Sequence, residues 1–178
     1  MKICYLCNPQ SIHVQRWLEY FSKQGDEIHV ITYQPYTSKE HNVIIHLVKR
    51  NKYLPIITKL FEVLFIRRLV KSISPDIVHA HSGGYGKILI FLKKYSTILS
   101  VWGDDVLVTP KKSILNRIIL KLTLKSVNVI TTIAIFMGPY IHQNFGISCD
   151  KIIRVPWGVD LSIFNSNYHE ESIKLKER

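Results

Sequence analysis

Four short stretches carry side chains whose type and spacing could do chemistry. Gly83-Gly84-Tyr85-Gly86-Lys87 invites a phosphate-loop reading. It lacks the four residues between Gly and Gly-Lys that a phosphate loop needs, and Ile88 stands where Ser or Thr should follow. Its glycines still let a ligand approach the backbone and leave helix-start N–H groups open, although they equally suit a tight strand-to-helix turn. His79 and His81 alternate along one extended segment, so they share a face. HxH can begin a metal site, but no further His, Asp or Glu cluster in the sequence offers a third ligand; His79 reads as a core histidine and His81 as a cleft residue. Trp102-Gly103-Asp104-Asp105 places two carboxylates at a strand end, where one could accept hydroxyl protons or simply close a turn. Cys4 and Cys7 have metal or redox spacing, yet they lie in an apolar strand on which positions three apart face opposite sides, so they read as buried structural thiols.

The elements that must position these groups follow from two alternating periods. Strands are expected at Lys2–Cys7, Glu27–Thr32, Val43–Val48, Ile77–His81, Thr97–Trp102, Val129–Ala134 and Ile152–Val155. Helices are expected at Ile12–Gln24, stopped by Gly25; at Tyr53–Ile73, stopped before Pro75; and from Gly83 to near Lys94. Two more are expected at Pro110–Ser126, capped by Thr109, and at Phe136–Phe145, stopped by Gly146. Strand–helix alternation with nearly continuous apolar, β-branched strands implies a mostly parallel sheet covered on both faces. Ligands of such sheets bind at the carboxyl ends of the strands. The turns from Asn8, Ser82, Gly103 and Trp157 should therefore meet at one rim.

The 178 residues are 47% hydrophobic and 21% charged, a globular composition. Residues 1–165 read as one domain and 166–178 as a polar tail that opens an interdomain linker. The apolar start is a short strand and does not read as a leader. The most apolar stretch, Leu54–Val70, is interrupted by Lys59, Glu62, Arg67 and Arg68, so it does not read as a membrane span. The formal net charge is +11. It is concentrated between Lys49 and Lys71, with seven basic residues against Glu62, and between Lys111 and Lys125, with five and no acid. Arg117, Lys121 and Lys125 fall in one helical row. Leu120 and Leu124 are expected beside that row, with Ile114, Ile118, Ile119 and Leu122 facing inward. Such a stripe suits an anionic membrane, to which each Lys or Arg contributes roughly 1 kcal/mol, or it is a solvated basic face. Few aromatics interleave with these cations to stack bases, so nucleic acid is not expected as a partner.

Four phrases, in order, carry a family resemblance: Ser11-Ile12-His13-Val14-Gln15-Arg16-Trp17, Asp76-Ile77-Val78-His79-Ala80-His81, Ser100-Val101-Trp102-Gly103-Asp104-Asp105-Val106-Leu107 and Val155-Pro156-Trp157-Gly158-Val159-Asp160 with Phe164 after it. Over about residues 1–165 the chain resembles the N-terminal domain of family 4 (group 1) glycosyltransferases of the GT-B fold. That resemblance implies a Rossmann-like three-layer α/β/α domain with about seven strands, one half of a GT-B fold. It implies retaining sugar transfer from a nucleotide sugar, held mainly by a second domain expected beyond Arg178, to a sugar or lipid-linked sugar acceptor, with no metal or other cofactor. The chain is then a half that is inactive alone. A membrane-associated, non-catalytic subunit of a split glycosyltransferase and a nucleotide-binding enzyme unrelated to sugars are the rival readings. The implied cleft residues are Ser11, His13, His81, Gly83, Gly84, Tyr85, Trp102, Gly103, Asp104 and Asp105, with Pro156, Trp157, Gly158 and Asp160 on the donor side. Arg117, Lys121 and Lys125 would face a membrane, placing the protein in the cytoplasm or on the inner face of the cell membrane. The chain departs from the family where Pro9, Gln10 and Ser11 replace the common Gly-Gly, Trp102 a frequent His, and Trp157 an Asn.

Overall fold

A computed structural model describes residues 1–38, 40–49 and 55–158, without side-chain detail at 55–59. The apolar runs form seven strands: β1 Lys2–Leu6, β2 Glu27–Thr32, β3 Val43–Leu47, β4 Ile77–His81, β5 Ser96–Val101, β6 Val129–Thr132 and β7 Ile152–Arg154. They make one sheet in the order β3-β2-β1-β4-β5-β6-β7. Every neighbouring pair is parallel. The direction of strand addition reverses between β1 and β4, the position where open α/β sheets leave a crevice for ligands. This is the parallel sheet that the alternation implied, in the Rossmann-like α/β architecture that the resemblance implied.

Strand residues alternate between two cores. Cys4, Leu6, Val78, Ala80, Leu99, Val101 and Ile130 face a larger one. Ile3, Tyr5, Cys7, Ile28 and Val30 face a smaller one. Helix α1 (Ile12–Lys23) brings Val14 and Leu18 to the smaller core. The larger core is covered by α2 (Pro55–Ile73), a 3₁₀ turn (Lys87–Phe91), α6 (Ile114–Ser126) and α7 (Met137–Phe145). Cys4 and Cys7 are buried free thiols on opposite faces, as the strand period required. Burial pushes the Cys4 thiol up to about 12. After α1, Gly25 takes φ 81°, a left-handed stop that suits glycine.

Three helical expectations need correction. The segment after Gly83 does not continue as one helix to Lys94. It makes a short α3 (Gly83–Gly86) and then the 3₁₀ turn. A 3₁₀ rise of about 2.0 Å per residue exceeds the α-helical 1.5 Å, so fewer residues carry the chain back toward β5. Pro110–Ser126 is also not one helix. Short helices α4 (Asp104–Leu107) and α5 (Thr109–Lys112) precede α6, and Ser113, extended at φ −163° and ψ 154°, separates α5 from α6. Ser113, not Thr109, caps α6, its hydroxyl accepting from the Asn116 N–H at 3.1 Å.

The inward face of α6 is inverted from the expected one. Leu120, Thr123 and Leu124 are buried, whereas Ile114 is 80% exposed and Ile118 and Leu122 are 51% exposed. Thr123 lies beside Gly86, where an added Cβ would sit 3.4 Å from Thr123 Cγ2, an ordinary contact, but only 2.5 Å from Leu99 Cδ1, so the bare backbone there serves the close packing on β5. Thr123 meets the core by returning its hydroxyl to Ile119 O at 2.8 Å.

Candidate functional site

The carboxyl ends of β1, β4, β5 and β7 share one edge of the parallel sheet, and the turns that leave them meet there. Asp105 joins two of these turns. Its Oδ2 accepts from the Gly83 N–H at 2.9 Å, and its Oδ1 accepts from the N–H groups of Trp102 at 3.1 Å and Gly103 at 3.0 Å. These charge-assisted bonds fix the β4 and β5 turns to each other. Gly103 takes φ 121°, a value that favours glycine, where the chain bends back over Asp105. Ser82, with φ 68° and ψ 152°, adopts a conformation that glycine tolerates far better. It is held between Ser100 O, which accepts from its N–H at 2.8 Å, and the Gly86 N–H, which donates to its carbonyl at 2.9 Å.

Ring side chains gather on the α1 side of this edge. His13 stacks on Trp157 with centroids 3.5 Å apart and rings 16° from parallel. Trp102 meets both edge-on, at 5.9 Å from His13 and 5.5 Å from Trp157. Beneath them lie His81, 5.9 Å from Trp102 and 5.7 Å from Trp17, and His79, 4.3 Å from His81. Tyr5 lies 5.3 Å from His79 and 5.7 Å from His81. The chain's three tryptophans, Trp17, Trp102 and Trp157, all belong to this group. Arg16 ties α1 to the last turn by donating to Gly158 O at 2.5 Å. A cavity of about 250 Å³ opens between α1 and residues 155–158, lined by His13, Arg16, Trp17, Tyr20, Pro156 and Trp157.

Hydrogen bonding separates the histidines. His79 is paired through Nε2 with the Ser100 hydroxyl at 2.8 Å. Both ring nitrogens of His81, and Nδ1 of His13, are buried without a partner. Burial pushes His81 down to about 3 and His79 well below the usual histidine value, with the neighbouring His81 adding to the shift at His79. Burial also lowers His13, with a smaller contribution from Arg16. His79 and His81 are thus neutral at physiological pH. Each neutral imidazole offers one donor and one acceptor, and at His81 neither is used.

The expected residues divide by location. His13, His81, Trp102 and Trp157 come together in the ring cluster, Gly103 and Asp105 join Trp102 through hydrogen bonds, and Gly158 is held by Arg16; Ser11 stands at the start of α1. Pro156 lines the cavity beside α1. Gly83 and Gly84 stand across the edge and line a second cavity of about 200 Å³ with Asp105, Thr109 and Asn116. Asp104 is exposed in α4. Tyr85 turns toward the other face, stacking on Tyr33 at 5.3 Å and packing on the larger core. Arg117, Lys121 and Lys125 lie exposed along α6. Asp160 and the 166–178 tail lie outside the described residues. The sequence reading did not include Trp17, Arg16 and Tyr5 among the site residues. Trp17 follows His13 by four positions, a helical spacing that puts both on one face and could have revealed it. Among the described residues, no three His, Cys, Asp or Glu side chains gather as a metal site would require.

The profile of the Glycosyl transferase 4-like family matches residues 2–134. The chain belongs to that family. No curated protein sequence matches this glycosyl transferase 4-like chain. Solved structures share its fold. Sucrose-phosphate synthase from Thermosynechococcus elongatus superposes with a TM-score of 0.73 at 10% identity, over 97% of this chain and 53% of the other. Anabaena HepE in complex with UDP gives 0.68 at 14%, over 99% and 50%. A glycosyltransferase from Rickettsia africae gives 0.62 at 17%, over 97% and 47%. The chain therefore spans about half the length of these three structures.

Proposed function

We propose that this glycosyl transferase 4-like domain supplies the acceptor-side wall of a GT-B cleft. In this reading a sugar passes, with retention and without a metal, from a nucleotide sugar to a saccharide or lipid-linked acceptor in glycan or polysaccharide synthesis. Anabaena HepE, similar in fold, was solved with UDP, which supports a nucleotide-sugar donor. The donor side belongs to a second domain or a second chain, and this chain alone does not turn over.

One observation carries the proposal. His13, Trp102 and Trp157 form a ring cluster at the converging strand ends, above a His81 whose two nitrogens have no partner. Indole faces take the C–H faces of a sugar, and neutral imidazoles exchange hydrogen bonds with its hydroxyls. His81 offers its donor and acceptor to whatever enters beside Trp102, and exposed Asp104 accepts from hydroxyls at the margin. Asp105 acts as a positioning residue through its bonds to the two turns.

The test compares transfer by the 178-residue chain with transfer by the chain completed by a donor-binding half. Turnover only in the completed enzyme, reduced at least roughly 100-fold in kcat/KM by Trp102→Ala, is the expected result. Full activity from the chain alone would overturn the reading. A second reading, a membrane-associated and non-catalytic subunit of a split enzyme, is favoured by the exposed apolar face of α6. It predicts that the completed complex loses membrane recruitment, and not chemistry, when that face is changed.

A further inference from the structure

The turn after β7 is held differently from the other turns of the rim. The turns after β4 and β5 are fixed by backbone bonds and by Asp105. In the last turn, the Val155 N–H donates to Thr132 O at 2.8 Å. Beyond that bond, among the described residues, the peptide groups of 156–158 exchange no hydrogen bond with other peptide groups. Side chains hold them instead. Arg16 donates to Gly158 O, the His13 ring lies against Trp157, and Trp102 meets Trp157 edge-on. A Cβ added at Gly158 would meet nothing within 4 Å, so the end of the segment is not packed. The Trp157 side of it remains 39% exposed.

This weakly held segment lies over the polar atoms that lack partners. Trp157 is flat on His13. Trp102 touches Trp157, His13 and His81, and Trp17 flanks His81 from α1. Under these rings, Nδ1 of His13 and both nitrogens of His81 are cut off from water and from any hydrogen-bond partner. A buried polar atom without a partner costs free energy. That cost is incurred while the rings stay closed and is relieved when water or a ligand enters. The His13 face that carries the indole is also a face on which a sugar ring could lie. Indole and sugar cannot occupy it together.

We propose that residues 155–158 form a strap that closes the rim from within the chain. Trp157 occupies the His13 face, Arg16 is the latch, and a ligand reaches His13 and His81 only after the strap has moved off α1. A site that is open in a minor fraction of molecules binds with an affinity reduced by that fraction. Acceptor capture then depends on whatever draws residues 155–158 away from α1. That effect on acceptor entry rests on the sugar-transfer reading. The closure itself rests on the contacts of this chain alone, so it is testable without a sugar.

The experiment is diethyl pyrocarbonate labelling of the 178-residue chain at neutral pH, since this reagent acylates neutral imidazole nitrogens that it can reach. Rates are read at each histidine by mass spectrometry, with exposed His41 as the reference. In the unaltered chain, His13 and His81 should label far more slowly than His41. Trp157→Ala should raise both rates roughly 100-fold, as when a minor open state becomes the dominant one. Arg16→Gln keeps every ring of the cluster and should raise them roughly 10-fold. Trp157→Tyr keeps a ring against His13, and Arg154→Gln removes a nearby cation that does not hold the strap; both should stay within a few-fold of the unaltered chain. His79, tied to Ser100, should stay unlabelled throughout. No rise at His81 in Trp157→Ala would overturn the proposal, as would labelling of His13 and His81 in the unaltered chain as fast as His41. Arg16→Gln matching Arg154→Gln would make Trp157 a fixed wall and no strap. An equal rise at His79 would mean that β4 itself loosens, and would also overturn it. If the labelling changes hold while the completed enzyme transfers no sugar, the strap stands and the sugar-transfer reading falls.

Discussion

At the strand-end rim, His13 and His81 keep polar nitrogens dry and unpartnered, while on the opposite side of the sheet α6 keeps Ile114 and Leu115 in water. Each region departs from ordinary burial in its own direction. An unpaired buried polar group costs roughly 1–3 kcal/mol, and an exposed apolar patch forgoes the gain of burial. Neither departure stabilises the isolated domain. The difference teaches that burial is not optimised in the same way at both places: the rim withholds partners from polar atoms, and the helix layer leaves apolar side chains in water.

The sharpest way to break the comparison is on α6. Leu124→Ala should cost about 2–5 kcal/mol in denaturant unfolding, because that side chain is fully buried. Leu122→Ala, two residues away and half exposed, should change stability by less than about 0.5 kcal/mol. A larger cost at Leu122 than at Leu124 would show that the helix is turned as its apolar pattern first implied.

Acid should weaken the rim and spare the helix layer. His79 and His81 are held below their unfolded value when folded. Their contribution is complete above about pH 6.5 and falls as pH drops, because the unfolded chain takes up protons that the folded chain refuses. For His81 the loss runs toward its folded value of about 3. Unfolding free energy should fall by about 2 kcal/mol between pH 7 and pH 5 on account of His81, His79 should add a loss of the same sign, and His81→Gln should make the profile shallower. A flat profile across this range would mean that neither ring is buried neutral.

Smaller effects separate holding the rim from serving it. Asp105→Ala removes the acceptor of three backbone N–H groups and should cost about 2 kcal/mol, with most of the change in amide shifts confined to residues 82–84 and 102–104. Ser82→Gly should gain up to about 1 kcal/mol, as the φ 68° backbone loses its steric conflict. A loss of stability instead would indicate that the Ser82 hydroxyl contributes more than the strain costs.

Much of this was legible in the residues. The bounds of β2 and β4 follow directly from the runs Glu27–Thr32 and Ile77–His81. Once the strands are parallel, the meeting of the turns from Asn8, Ser82, Gly103 and Trp157 follows from topology. The facing of α6 was not legible, because Ile114-Ile118-Leu122 and Leu120-Leu124 are both apolar rows with i,i+4 spacing. What separates them is packing against α3 and the 3₁₀ turn, where Thr123 lies beside Gly86, 37 residues earlier in the chain. The break at Ser113 was hidden for a related reason: the apolar period runs straight through it, and only the backbone shows the cap. His79 and His81 look alike in sequence. What separates them is Ser100, which pairs with one and leaves the other without a partner.

The central claim is that the rings at the rim meet the acceptor. The three tryptophans of the chain all lie there, so their indole N–H resonances report on that place alone. With an acceptor saccharide shown to support transfer in the completed enzyme, titration into the labelled 178-residue chain should shift the Trp102 and Trp157 indole signals and leave the α6 amides still. If such an acceptor binds while those two indole signals stay in place, the account of the rim is contradicted.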